Sequence, residues 1–183
     1  NVGGTANVLE AARRAGTKKI VFASTSAIYE NNTKFPCQED DPVSPNLVYS
    51  LSKLQAENLC NSYIKCYDMN IVITRYYNVY GPNQDIRRKT PPFVGYAIRE
   101  ALAGKAPVFH SNGEQRRDYV YIDDVNELNI LCMTHPNASR QIFNVASGKP
   151  YSVKEIYSTI KNIVKNAQMP VYREANKLWE KYP

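Results

Sequence analysis

The 183-residue chain predicts an α/β fold, a doubly wound parallel sheet, on three observations. Ile20 to Ala23, in KKIVFASTSAIY, is an uninterrupted apolar run, the pattern of a parallel strand covered on both faces. A long helical stretch follows from about Leu47 to Tyr67, and NIVITRYYNVYGP then opens on a second apolar run. Strand, helix and strand in that order make a parallel βαβ unit.

The other elements can be placed in order. NVGGTANVLEAARRAG has helical periodicity, with Val2, Ala6, Leu9 and Ala12 on one stripe, and should run to about Ala15 with Gly16 as its stop. The first strand ends on Ser24-Thr25-Ser26, at the carboxyl end where open α/β sheets place ligands. The loop ENNTKFPCQEDDPVSP leads to the long helix, whose buried stripe should include Leu51, Leu54, Leu59 and Ile64. NIVITRYYNVYGP reads as one strand closed by Gly81-Pro82. From Pro91 the elements shorten to a helix near Phe93 to Leu102 stopped at Gly104, a strand at APVFH, a turn at SNGEQ and a strand at RRDYVYI. Asp123-Asp124 suits the cap of a helix running towards Met133, IFNVA a short strand, and Ser152 with Glu155 a capping box opening another helix. The chain begins without methionine and stops on the amphipathic KLWEKYP, so it reads as a fragment.

Composition excludes several functions. A net charge of +6 could favour anionic ligands such as phosphates, but the basic runs are short and scattered, unlike a nucleic-acid footprint. No apolar run approaches a membrane span and nothing reads as a signal peptide. The four cysteines lack CxxC spacing and the two histidines form no helical pair, so no metal site is expected. Free thiols in a cytoplasmic, reducing compartment are the expectation. The sequons at Asn31 and Asn137 are read as chance triplets.

The chemistry centres on VYSLSK, which puts Tyr49 and Lys53 four residues apart, on one face of a helix. An ammonium beside a phenol favours the phenolate and makes a usable general acid or base. Spacing alone does not decide, because YSTIK repeats the pattern at Tyr157 and Lys161. Context separates the copies. Tyr49 opens a helix inside the βαβ unit, after a strand ending in hydroxyls, whereas Tyr157 sits in a late helix and reads as a half-buried structural residue with a solvated lysine partner.

Seven segments in order now carry a resemblance: NVGGTANVLEAARRAGTKKIVFASTSAIYE, QEDDPVSP, YSLSKLQAE, TRYYNVYGP, ALAGKAPVF, GEQRRDYVYIDDV and FNVASG. Together they resemble the extended short-chain dehydrogenase/reductase family, in particular its NAD-dependent nucleotide-sugar epimerases and dehydratases, over nearly the whole chain to about Glu155. The resemblance implies the C-terminal portion of a Rossmann-like sheet with a small mixed α/β substrate-binding subdomain. It assigns residues 1–90 mainly to the NAD-binding domain and 91–183 mainly to the substrate subdomain, with 115–150 partly returning. It makes Thr25, four residues before Tyr29, the catalytic hydroxyl, with Ser26 as neighbour and substrate contact. Tyr49 becomes the acid/base and Lys53 the lysine on the nicotinamide ribose, while Ser24 and Tyr76 join Tyr49 and Lys53 as cofactor contacts. Asn78 and Arg117 would hold the sugar-nucleotide diphosphate, and Val108 and Phe109 its base. Asn1 takes the place of a structural asparagine. The bland alternatives, a capped turn for Asn78 and a surface salt bridge for Arg117, are the less favoured readings.

Departures from the family pattern narrow the reading. No GxxGxxG is present, nor the acidic residue expected after the second strand, so the chain as given is expected not to turn over alone. The positions where dehydratases carry an Asp-Glu pair are Ser26 and Ala27, and decarboxylases place a glutamate where Ala27 stands. Elimination and decarboxylation are thereby disfavoured. The resemblance implies a UDP-hexose 4-epimerase in which Tyr49 takes the proton of the sugar 4-hydroxyl while hydride passes to NAD and returns on the other face. An NAD(P)-dependent nucleotide-sugar reductase or dehydratase of the same family is the alternative, and a truncated non-catalytic binding module the alternative of another class. A homodimer through the helices at 1–15 and 47–67 is also implied.

Overall fold

The computed structural model describes residues 1–175, so the amphipathic reading of KLWEKYP lies outside the described residues. The elements are α1 (Val2–Arg14), β1 (Ile20–Thr25), α2 (Val48–Tyr67), β2 (Ile71–Tyr76), β3 (Asn78–Tyr80), α3 (Phe93–Leu102), β4 (Val108–His110), β5 (Arg116–Tyr121), α4 (Ile122–Thr134), β6 (Ile142–Val145), β7 (Pro150–Ser152), α5 (Val153–Ile163) and β8 (Val171–Arg173). The chain divides into two compact units, Asn1–Tyr77 with Asp124–Val145, and Asn78–Asp123 with the residues from Ala146 on. The chain passes between the units at Tyr77/Asn78 and returns over 124–145.

The first unit is built on the parallel sheet β1-β2-β6, with Ile20 opposite Ile71 and Tyr76 opposite Val145. Successive side chains of a strand face opposite ways, which sorts β2 residue by residue. Ile71 and Ile73 join Leu9 of α1 and Cys60 of α2 in one cluster, while Val72 meets Cys132 of α4 and Ala138 on the other face. Both faces are thus covered, which is why the apolar runs are continuous. Gly3 and Gly4 lower the helix propensity of α1 by about 1 kcal/mol each. Burying one leucine contributes about 1.5–3 kcal/mol, so the contact made by Leu9, not propensity, holds α1 in place.

The stretch read as one strand is two. The Tyr77 amide makes a last bond to the Val145 carbonyl at 3.1 Å, and Asn78 onwards pairs with β5 in a different sheet. Leu51, expected in the buried stripe of α2, is 45% exposed, because the buried line of that helix runs instead through Ser50, Ala56, Glu57 and Cys60. Leu54, Leu59 and Ile64 do pack inward.

In the second unit β5 lies between parallel β3 and antiparallel β7, and β4 pairs in parallel with β8. β7 and β8, three residues each, are absent from the sequence reading. Phe109 sits at the centre of the core, 5.4 Å from the Tyr157 ring and 5.7 Å from Phe93. The Ser152–Glu155 capping box forms as expected, whereas α4 begins at Ile122, so Asp123 and Asp124 lie inside its first turn instead of capping it. Gly81 has φ 152°, and a Cβ there would come within 2.3 Å of the Ile122 side chain, so this turn requires glycine.

Candidate active site

The hydroxyls of the FASTS segment lie where the first strand ends. Thr25 closes β1 with an extended backbone, caps the 3-10 turn Ser26–Tyr29, and accepts from the Ala27 amide at 3.2 Å. Ser26 begins that turn, half-buried. Tyr49 lies in the first turn of α2, 54% exposed, and Lys53 one turn later. The Lys53 ammonium donates to the Ala23 carbonyl at 2.7 Å and stands 5.4 Å over the Phe22 ring. Burial pulls the Lys53 pKa below the ordinary lysine range. The lysine of the pair is thereby anchored two residues from Thr25, at the carboxyl end of a parallel strand.

Ser24 and Tyr76, expected as cofactor contacts, both turn their side chains inward. Ser24 faces α2, buried, and its hydroxyl donates to Glu57. Tyr76 faces α4 and donates to Asn129 Oδ1 at 2.7 Å. Both hydroxyls are engaged within the protein. Strand alternation sends them inward, to opposite faces of the sheet, and leaves each residue's backbone at the strand end.

Behind this edge lies a buried polar network that the sequence reading missed. Glu57 on α2 is 2% exposed and accepts from Arg75 Nε at 3.1 Å and Nη2 at 2.9 Å. Arg75 also donates to the Glu39 carbonyl at 2.8 Å and to the Tyr29 hydroxyl. Tyr29 in turn donates towards Asn144 of β6. Burial pulls the Arg75 pKa down, but the adjacent Glu57 carboxylate outweighs it and the net direction is up. Burial pushes the Tyr29 phenol above its ordinary range, against the pull of Arg75. The signal available in the sequence was the spacing of Tyr49, Lys53 and Glu57, four residues apart each time and so on one helix face.

The second unit gathers the residues expected to meet the diphosphate. Asn78 Nδ2 donates to the Asp118 carbonyl at 3.1 Å. The Asp118 carboxylate accepts from the Ser147 amide at 2.7 Å, the Ser147 hydroxyl at 2.9 Å and the Gly148 amide at 2.7 Å. Asp118 therefore joins Asn78 to the turn at Ser147 and Gly148, a role unassigned from the sequence. Arg117, next in the strand, donates to the Arg116 carbonyl at 2.8 Å, and burial pulls its pKa below the ordinary arginine range. Val108 is half-buried, with its amide donating to the Tyr96 hydroxyl at 2.8 Å. The Phe109 side chain, 2% exposed, belongs to the aromatic core.

The second Tyr-Lys pair resolves differently from the first. Tyr157 is 2% exposed rather than half-buried, and its hydroxyl donates to the Gln168 carbonyl at 2.7 Å. Lys161 lies 2.9 Å from the Met169 sulfur. A phenol enclosed in a core cannot meet a substrate.

The model of the NAD dependent epimerase/dehydratase family matches residues 1–146. The chain belongs to that family. It is 36% identical over 163 residues to a putative UDP-glucose 4-epimerase of Methanocaldococcus jannaschii, covering 88% of this chain and 52% of the relative. The UDP-glucose 4-epimerase of Thermotoga maritima, solved with UDP-glucose, superposes with a TM-score of 0.90 at 32% identity, covering 96% of this chain and 56% of that one. The UDP-glucose 4-epimerase of Thermus thermophilus, solved with NAD, superposes with a TM-score of 0.83 at 31% identity, over 94% of this chain and 56% of that one. The chain thus spans about half the length of the relatives it matches.

NAD is the cofactor of the epimerase/dehydratase family, and Lys53 and Tyr49, expected to contact it, both lie in the first unit. An ammonium carries three donors, of which the Ala23 carbonyl takes one from Lys53. The Tyr49 phenol, 54% exposed, stands one turn away.

Proposed function

We propose that the protein to which this chain belongs is a UDP-hexose 4-epimerase. The observation that carries the reading is the anchoring of Lys53 on the Ala23 carbonyl, beside Thr25 and one turn from the accessible Tyr49. When bound, NAD would supply the acceptor and donor for a hydride at the sugar C4. Tyr49 takes the proton of the 4-hydroxyl and later gives it back. Thr25 offers a hydroxyl to the same oxygen, and Lys53 orients the cofactor ribose. Asn78 and Arg117 bind the diphosphate, for which a guanidinium fork is suited, and the backbone at Val108 and Phe109 meets the base. Ser26 and Ala27 support redox chemistry without a second acid/base pair.

The exposed apolar side chains Val8 on α1 and Val48 and Leu51 on α2 support self-association through those helices into a homodimer. No helix among the described residues is long and apolar enough to cross a membrane.

The test is interconversion of UDP-glucose and UDP-galactose by the full-length protein with NAD. Conversion abolished by Tyr49→Phe supports the reading. Turnover of NADPH with a nucleotide sugar and no interconversion overturns it in favour of a reductase.

A further inference from the structure

The buried network behind the candidate site contains a charged pair that the proposed chemistry does not use. Three consecutive residues of β1 meet α2: Phe22 lies under the Lys53 ammonium, the Ala23 carbonyl accepts from it at 2.7 Å, and the Ser24 hydroxyl donates to Glu57. Lys53 and Glu57 are four residues apart and share one helix face. The strand end is therefore held at two successive turns of α2, and the second hold is itself immobilised. Glu57 is gripped through both carboxylate oxygens by Arg75, at 3.1 and 2.9 Å, and Arg75 is fixed in turn by the Glu39 carbonyl and the Tyr29 hydroxyl. A fully buried ion pair is a weak source of net stability, because desolvating both charges offsets their attraction. What such a pair does supply is a definite position for whatever it bonds.

We propose that Ser24 and Glu57 are positioning residues for the epimerase reaction: their buried hydrogen bond holds the end of β1 in register with α2, and so keeps the Ala23 carbonyl under the Lys53 ammonium. The inference rests on the proposed function for its catalytic consequence, but its structural content stands on Lys53 alone. Without the tie, the strand end shifts against the helix and Lys53 loses its fixed acceptor. Misplacement on the ångström scale is enough to cost up to about a hundredfold in rate.

Ser24→Ala is the chosen variant, because it removes only the link and leaves the Glu57–Arg75 pair intact. In the full-length protein it should lower kcat by roughly tenfold to a hundredfold, with the KM for UDP-glucose changed less than about twofold. A purely structural residue would act independently of Lys53, so the same substitution is made in a Lys53→Met background. There the further loss should disappear, whereas an undiminished loss, or an unchanged kcat in the single variant, overturns the proposal. A readout independent of activity is the side-chain NMR resonance of Lys53 in carbon-13-lysine-labelled protein, assigned by its absence in Lys53→Met. Ser24→Ala should shift that resonance and Ser24→Thr, which keeps the hydroxyl, should restore it. A resonance unmoved by Ser24→Ala overturns the positioning role even if the protein interconverts no nucleotide sugar, and a wild-type protein without interconversion but with the shift overturns only the proposed function.

Discussion

Lys53 on α2 reaches across to β1 and donates to the Ala23 carbonyl at 2.7 Å, while Lys161, in the same sequence pattern, rests 2.9 Å from the Met169 sulfur. One lysine is tied to a strand end and the other is not, and the tyrosines preceding them differ as sharply. Tyr49 is 54% exposed and Tyr157 is 2% exposed.

Substituting the two tyrosines should therefore have opposite consequences. Tyr49→Phe should lower kcat of the full-length protein by roughly 10²–10⁴, the range for loss of a general acid/base, with little change in Tm. Tyr157→Phe should leave kcat unchanged and lower stability by about 1–3 kcal/mol, because the Gln168 carbonyl loses its donor in a buried setting. Steady-state kinetics and thermal melts on the pair check both, and a large activity loss in Tyr157→Phe would reverse the assignment of the two copies.

The Glu57–Arg75 pair should respond asymmetrically to substitution. Removing one partner, as in Arg75→Met, leaves a buried carboxylate uncompensated and should cost about 3–5 kcal/mol. Replacing both, Glu57→Leu with Arg75→Met, should recover part of that loss. Urea denaturation of Arg75→Met, of Glu57→Leu and of the double variant reads the difference; if the double variant is less stable than either single one, the desolvation argument fails.

Arg117 and Asn78 should act on binding rather than on turnover. Arg117→Lys keeps the charge but loses the planar fork, and Asn78→Ala removes the amide held by the Asp118 carbonyl. Each should raise the KM for a nucleotide sugar roughly tenfold or more, since a charge-assisted hydrogen bond contributes about 1.5–3 kcal/mol. Competition by UDP separates the diphosphate contact from the sugar: both variants should weaken UDP inhibition in parallel with the substrate KM.

The capping box of α5 provides a pH-dependent test. The Glu155 carboxylate accepts from the Ser152 amide at 2.6 Å, and that bond, ahead of the Arg116 charge, holds its pKa below the ordinary range. A carboxyl with a lowered folded pKa adds stability above its unfolded value, about 4.3, and loses it as pH falls through the lower folded value. The Tm difference between the native chain and Glu155→Gln should thus shrink as pH is taken from about 6 towards about 3. Ser152→Ala, which removes the reciprocal bond to the Glu155 amide, should cost about 1 kcal/mol at neutral pH.

Much of this was legible in the sequence for a physical reason: the features that were read are local. The continuous apolar runs of β1 and β2, the stops at Gly16 and Gly104 and the Ser152–Glu155 box each depend on a few neighbouring residues. The break at Tyr77 was not legible, because Ile71 to Tyr80 is uniformly suited to strand and only the partners, Val145 and then Tyr119, show where the chain changes sheets. Leu51 was misplaced by apolar character alone, whereas the buried line of α2 runs through Glu57, whose burial depends on Arg75 on another strand.

By itself the sequence determined the parallel βαβ core, the family and the candidate pair Tyr49 and Lys53, all of which follow from periodicity, spacing and motif order. Tertiary structure alone decided that the Ser24 hydroxyl turns inward to Glu57, that the Tyr76 hydroxyl turns to Asn129, and that the Phe109 ring is core. It also enclosed Tyr157 and left Tyr49 accessible. The direction of a side chain, and what it meets there, depend on partners distant in the chain, 33 positions away for Ser24 and 53 for Tyr76.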